Sequence, residues 1–135
     1  MREINKIIIH CTKTLPDKDI GLPEITKWHR AKGYFGCGYH FIIRRDGTIE
    51  KARPIEQAGC HTTGHNQDSI AICLVGGINE NGKLVDNFNT TQLTSLRNLI
   101  DRLTDAYHAL EILGHNQLAN TDCPSFSVKD WLKIH

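Results

Sequence analysis

Two short apolar runs constrain this chain more than any other feature: Ile4 to Cys11, with Ile7-Ile8-Ile9 at its centre, and Ser69 to Val75, reading Ser-Ile-Ala-Ile-Cys-Leu-Val. Both are too short for a long helix and rich in β-branched residues, so both read as buried strands, the second central in its sheet. Pro23 stands where a helix begins, and Ile25, Trp28 and His29 follow at i, i+3 and i+4 before Gly33. Tyr39 to Arg45 and Thr48 to Ala52 flank Asp46-Gly47, a strong signal for an antiparallel hairpin. From Thr91, the residues Leu93, Leu96, Leu99, Ile100, Leu103 and Tyr107 recur at helical spacing, with Asn89 or Thr90 as cap. Glu111 to Gly114 is a short strand leading to His115. After an irregular loop to Cys123-Pro124, Ser127 and Asp130 resemble a capping box for a last helix that buries Trp131 and Leu132. The expected fold is α/β, a single domain over residues 1–135 with a central mixed β-sheet flanked by helices.

A formal net charge of +1, from 16 basic and 15 acidic residues, lacks the electrostatic footprint of a protein that grips a phosphate backbone, so nucleic acid is excluded as main substrate. The apolar run near the start is far shorter than a signal-peptide core or a membrane span, which predicts cytoplasmic synthesis and no membrane partner. A monomer is expected. Five cysteines form no CxxC pair, and an odd number cannot all bridge within the chain. Reduced thiols follow, with a Cys37 to Cys60 bridge the alternative in an oxidising setting.

A hydrolytic zinc site takes three protein ligands from His, Cys and carboxylate and keeps a fourth position for water. His10, His115 and Cys123 have that chemistry and fall at strand ends or in loops after strands, where an α/β sheet presents its functional rim. By spacing alone the set is weak: a strand-end histidine is more often a hydrogen-bonded polar residue than a ligand, and a lone cysteine packs as a small hydrophobe.

Four ordered motifs add to this: Ile-Ile-His10-Cys-Thr; Gly38-Tyr39-His40-Phe41 with Arg45-Asp46-Gly47-Thr48; Ser69 through Gly77; and Cys123-Pro-Ser-Phe126. From about Ile7 to Trp131 the chain resembles the N-acetylmuramoyl-L-alanine amidases of phage lysozyme type, relatives of the peptidoglycan recognition proteins. The resemblance implies a zinc-dependent hydrolase cutting the amide bond between N-acetylmuramic acid and L-alanine in peptidoglycan. It also implies Zn2+ held by His10, His115 and Cys123, and catalytic roles for Tyr39 and Thr121. The Tyr39 phenol would hydrogen-bond the attacking water or the oxyanion. Strand alternation then turns Tyr39 to the site and His40 to the interior. Phage-type members often carry lysine two residues before the ligand cysteine; here Thr121 stands there, a neutral hydroxyl in place of an ammonium.

The segment Cys60 to Asn66 looks like the family's loop beside the cleft, which implies substrate contacts from His61 and Asn66. A histidine-rich loop can equally be solvated surface. Arg53 is a candidate for a carboxylate of the peptide stem. Three rivals stay open: a recognition module that binds peptidoglycan without cutting it, a structural metal closed by His61 or His65, and an endopeptidase acting within the stem. The missing export signal predicts an endolysin-like protein that waits in the cytoplasm and meets the cell wall after membrane permeation.

Overall fold

The structure, a computed structural model, describes residues 2–134; Met1 and His135, the ends of the expected 1–135 domain, lie outside the described residues. Five strands form one sheet: β1 (Lys6–Cys11), β2 (Phe41–Ile43), β3 (Ile49–Lys51), β4 (Ser69–Leu74) and β5 (Glu111–Gly114). The spatial order is β3-β2-β4-β1-β5, which puts β4 in the centre. β1 runs parallel to β4 and β5, and β2 parallel to β4; only the β2–β3 pair is antiparallel, so the sheet is mixed.

Central strands in a largely parallel sheet must be covered on both faces, which is why their sequences are continuously apolar. One face is covered by α2 (Thr90–Tyr107) and α3 (Val128–Ile134). Ile7, Ile9, Ile70, Ile72 and Leu74 meet Leu96, Leu99, Ile100 and Leu103 there, joined by Val128 and Trp131. Full burial of each such aliphatic side chain contributes about 1.5–3 kcal/mol. The opposite face is covered in part by α1 (Leu22–Ala31), where Ile25 packs with Cys37, Ile42 and Val75.

The caps follow the sequence signals. Asn89 accepts the Gln92 amide at 2.8 Å, and Gln92 Oε1 receives the Asn89 amide at 3.3 Å, a reciprocal capping box. The Ser127 hydroxyl accepts the Asp130 N–H at 3.2 Å. The hairpin differs from the two-residue turn suggested by Asp46-Gly47. Gly47 N–H bonds Arg44 O at 2.9 Å and Arg44 N–H bonds Thr48 O at 2.9 Å, so the loop is Arg45-Asp46-Gly47. A two-residue type I′ turn needs positive φ at both central residues, and here Gly47 has it (87°) while Asp46 does not.

Trp28 also departs from expectation. It does not complete the buried stripe of α1 but stands 41% exposed, whereas His29 is buried. No helix among the described residues is long and apolar enough to cross a membrane.

Candidate metal centre

The polar side chains of the sheet gather on the face opposite α2. Along β1, Ile7 and Ile9 enter the core under α2 while His10 faces the other way, 1% exposed and register partner of Cys73 on β4. On the other side of β1, Ile9 pairs with Gly114 in parallel register, so the next residues, His10 and His115, emerge side by side. Their ring centroids lie 4.4 Å apart. The turn carrying His115 is held by Gln117, whose Oε1 accepts the Gly114 N–H at 2.7 Å. Cys123 arrives from the following loop, its Sγ accepting the Cys11 N–H at 3.1 Å. The strand that bears one candidate ligand thus tethers another.

The donor atoms of His10, His115 and Cys123 all lie within 4.8 Å of one another. The Nδ1 of His115 is buried with no hydrogen-bond partner. A buried, unpartnered ring nitrogen beside a second imidazole and a thiol is costly without something to meet it, and an N/N/S donor set suits zinc. The electrostatics agree. Burial, then the neighbouring His61 and His115, hold His10 well below the usual imidazole range, and burial lowers His115, with Lys13 adding to it. Both rings are therefore neutral, as ligation requires. The Cys123 thiol is pushed up, first by its hydrogen bond with Cys11 and then by burial, and a bound cation would reverse that by deprotonating it. The residues present fit the metal.

These three side chains line a cleft of about 320 Å³, with Tyr39, His61, Asn66, Trp28, Lys13 and Tyr34 on its walls. Tyr39 tilts against His10 and His29, with centroid distances of 5.1 and 5.2 Å. Burial, then the surrounding thiols, raise its phenol well above its ordinary range, so it is a neutral donor. Its neighbour His40 points the other way and is 1% exposed; its Nδ1 accepts the Ala71 N–H at 3.0 Å. The His61 loop approaches Tyr39 closely because two glycines face each other. A Cβ on Gly38 would sit 2.1 Å from Cys60 O, and one on Gly59 would sit 2.6 Å from Gly38 O. Asn66 Oδ1 ties that loop by accepting the N–H groups of His61 and Thr62, each at 2.9 Å.

Two candidates lie off the cleft wall. Thr121 turns its hydroxyl to the Cys123 N–H at 3.2 Å, holding the loop of the sulfur ligand. Arg53 donates to Cys37 O and Ala58 O, both at 2.9 Å, and lines a neighbouring cavity beside Ala52 and Gln57. Its Nε and Nη1 are engaged with backbone, and it faces that neighbouring cavity, not the cleft of His10. All five cysteines are free thiols.

Sequence reasoning missed Lys13, Trp28 and Tyr34 as wall residues. Lys13 has φ 59°, a left-handed turn directly after β1 that no local pattern announces. Trp28 was legible as a helix position and Tyr34 carried no signal of its own.

A mixed-sheet α/β domain with a neutral His/His/Cys set at the base of a strand-end cleft has the donor chemistry of a candidate metal site. Residues 1–126 match the family model described as N-acetylmuramoyl-L-alanine amidase. The chain is similar to the endolysin of Escherichia phage T7, 43% identical over 125 residues that span 93% of this chain and 83% of that one. It is 41% identical to the endolysin of Klebsiella phage KP32 over 130 residues, covering 96% and 86%. Among solved structures, the N-acetylmuramoyl-L-alanine amidase LysC from Clostridium intestinale URNW superposes with a TM-score of 0.85 at 30% identity, over 98% of this chain and 85% of that one. The chain belongs to the N-acetylmuramoyl-L-alanine amidase family.

Proposed function

We propose that this chain is a single catalytic domain that hydrolyses the amide bond between N-acetylmuramic acid and L-alanine in peptidoglycan, using zinc held by His10, His115 and Cys123. The observation that carries the reading is the convergence of donor atoms from those three side chains at the base of the cleft, where His115 Nδ1 is also buried without a hydrogen-bond partner. When bound, zinc supplies a Lewis acid and a water acidic enough to attack near neutral pH.

The chain's own residues supply the rest. Tyr39, a half-buried neutral phenol, donates to the carbonyl oxygen as it gains negative charge, a contribution of about 3–4 kcal/mol in comparable sites. Thr121 acts through Cys123, fixing the backbone that aims the thiolate. Asn66 and His61 shape the wall where glycan and stem lie, and Trp28 and Tyr34 offer it aromatic surface. Lys13 and Lys32, both exposed on the cleft wall, face the carboxylates that a peptide stem carries. Lys13 takes over the electrostatic work of the lysine that phage-type relatives hold near the cysteine.

The similarity to phage endolysins supports an endolysin-like protein that reaches the cell wall from the cytoplasm after membrane permeation. Fractionation of intact producing cells should keep it in the cytoplasm, and recovery from the periplasm would overturn that part.

The test of the activity is mass analysis of fragments released from purified peptidoglycan, with and without a chelator. Free N-terminal L-alanine on the stems, lost with chelator and in Cys123→Ser, is the expected result. Binding without cleavage would mark a recognition module, and cuts inside the stem would mark an endopeptidase. Retained zinc with four protein ligands would mark a structural site.

A further inference from the structure

His10 and His61 meet edge to face, with ring centroids 4.9 Å apart and planes at 87°. His10 Nε2 lies 2.9 Å from His61 Nδ1. Two neutral imidazoles bond through such atoms only when one carries hydrogen and the other a lone pair. The choice is made one residue further along. Ser69 Oγ and His65 O are 2.6 Å apart, and two oxygens at that distance need a proton between them. A carbonyl has none to give, so the single hydroxyl proton of Ser69 goes to His65 O. Toward His61 Nε2, 3.2 Å away, the Ser69 oxygen can then only accept. His61 Nε2 therefore bears hydrogen and its Nδ1 is a lone pair; the Thr62 hydroxyl lies 3.0 Å from that nitrogen and 3.4 Å from His10 Nε2, the longer of the two approaches to His10. His10 must donate to that lone pair from Nε2. Its own remaining lone pair is Nδ1.

We infer that Ser69 and His61 are positioning residues of the metal centre: the chain His65 O, Ser69, His61 locks His10 in the Nε2–H tautomer and presents Nδ1 to zinc. This rests on the proposed zinc reading and assigns His61 a task beyond lining the substrate wall. It also accounts for a serine, fully buried, opening the otherwise apolar strand β4. A carboxylate or carbonyl usually orients a metal-binding histidine; here a second histidine does so, with its own tautomer set by a hydroxyl.

The test measures zinc affinity of the full chain by competition with a chromophoric chelator, and the His10 tautomer in metal-free protein by imidazole 15N shifts. Wild type should show hydrogen on Nε2 and a lone pair on Nδ1. His61→Leu and Ser69→Ala should each lose about 10–100-fold in zinc affinity. His61→Asn, whose Oδ1 stands where Nδ1 stood and still accepts, should retain most of it. Loss of Ser69 should also abolish the single tautomer of His10, which a merely structural serine would not do. Wild-type zinc affinity in folded His61→Leu, or hydrogen on His10 Nδ1 in the wild-type apo protein, would overturn the inference. If the variants do not fold, the wild-type shifts still decide it. If instead the tautomer is as stated and zinc binds, but no fragment is released from peptidoglycan, the proposed activity fails and this inference stands.

Discussion

Ile9 and His10 are consecutive, equally buried, and placed in opposite worlds. Ile9 enters the dry layer under α2, where every neighbour is apolar and the only requirement is volume. His10 enters the cleft face, where His61, His115, Ser69 and the thiols of Cys11 and Cys123 must each find a partner. Burial on the first face stabilises the protein. Burial on the second depresses the imidazoles and raises the phenol, while the hydrogen bond with Cys11 and then burial raise the Cys123 thiol, leaving neutral donors that suit a cation and a reacting carbonyl. One strand thus serves stability on one side and chemistry on the other, and the two can be broken separately.

The largest effect should come from the chemical side. Cys123→Ser should lower the rate of fragment release by about a thousandfold or more, since a lost Lewis acid is worth several kcal/mol and each 1.36 kcal/mol is tenfold. Bound zinc should fall with it, while the denaturant midpoint of the metal-free protein stays near wild type. Ile72→Ala on the opposite face should do the reverse: a stability loss of about 2–5 kcal/mol in denaturant titration, with kcat of the folded fraction preserved.

Acid sharpens the comparison at His40, buried away from the cleft wall and outside the candidate ligand set. Burial is the main reason its pKa drops to about 4, and Arg2 adds to the effect against the opposing hydrogen bond to Gln57 O. The unfolded chain takes up this proton near 6.5, the folded chain only near 4, so stability falls as pH drops through that window and levels off below it. The contribution is roughly 3 kcal/mol. His40→Asn, which keeps an acceptor for the Ala71 N–H, should flatten this part of the stability–pH curve. A curve as steep as wild type would show that other groups carry it.

The smallest effect is expected at Lys13. Lys13→Gln should cost a few-fold in kcat/KM, about 1 kcal/mol or less for an exposed charge, and raising the salt should shrink the difference. An equal loss at low and high salt would remove the electrostatic role proposed for it.

The elements of the α2 face were legible because their signals are local. The Leu93 to Leu103 spacing, the Asn89 cap and the two apolar runs each need only their own neighbours in the chain, and the helices and strands form where those signals lie. The site was legible as residue types and motif order, but its composition depends on distances between segments far apart in sequence. The parallel register of Ile9 with Gly114 brings His115 to His10, and Cys11 brings Cys123. Thr121 and Arg53 look free in the sequence, yet in the fold Thr121 holds an amide and Arg53 two carbonyls. The left-handed turn at Lys13 and the exposed setting of Trp28 have no periodic signature.

The amino-acid order alone therefore determined the strands, the helices and the ligand chemistry, because hydrophobic period and side-chain functional groups are properties of a residue and its near neighbours. Tertiary structure alone decided which lone pair faces which proton. Hydrogen-bond direction along Ser69, His61 and His10 is set by ångström-scale approach across the sheet, and no one-dimensional pattern encodes it.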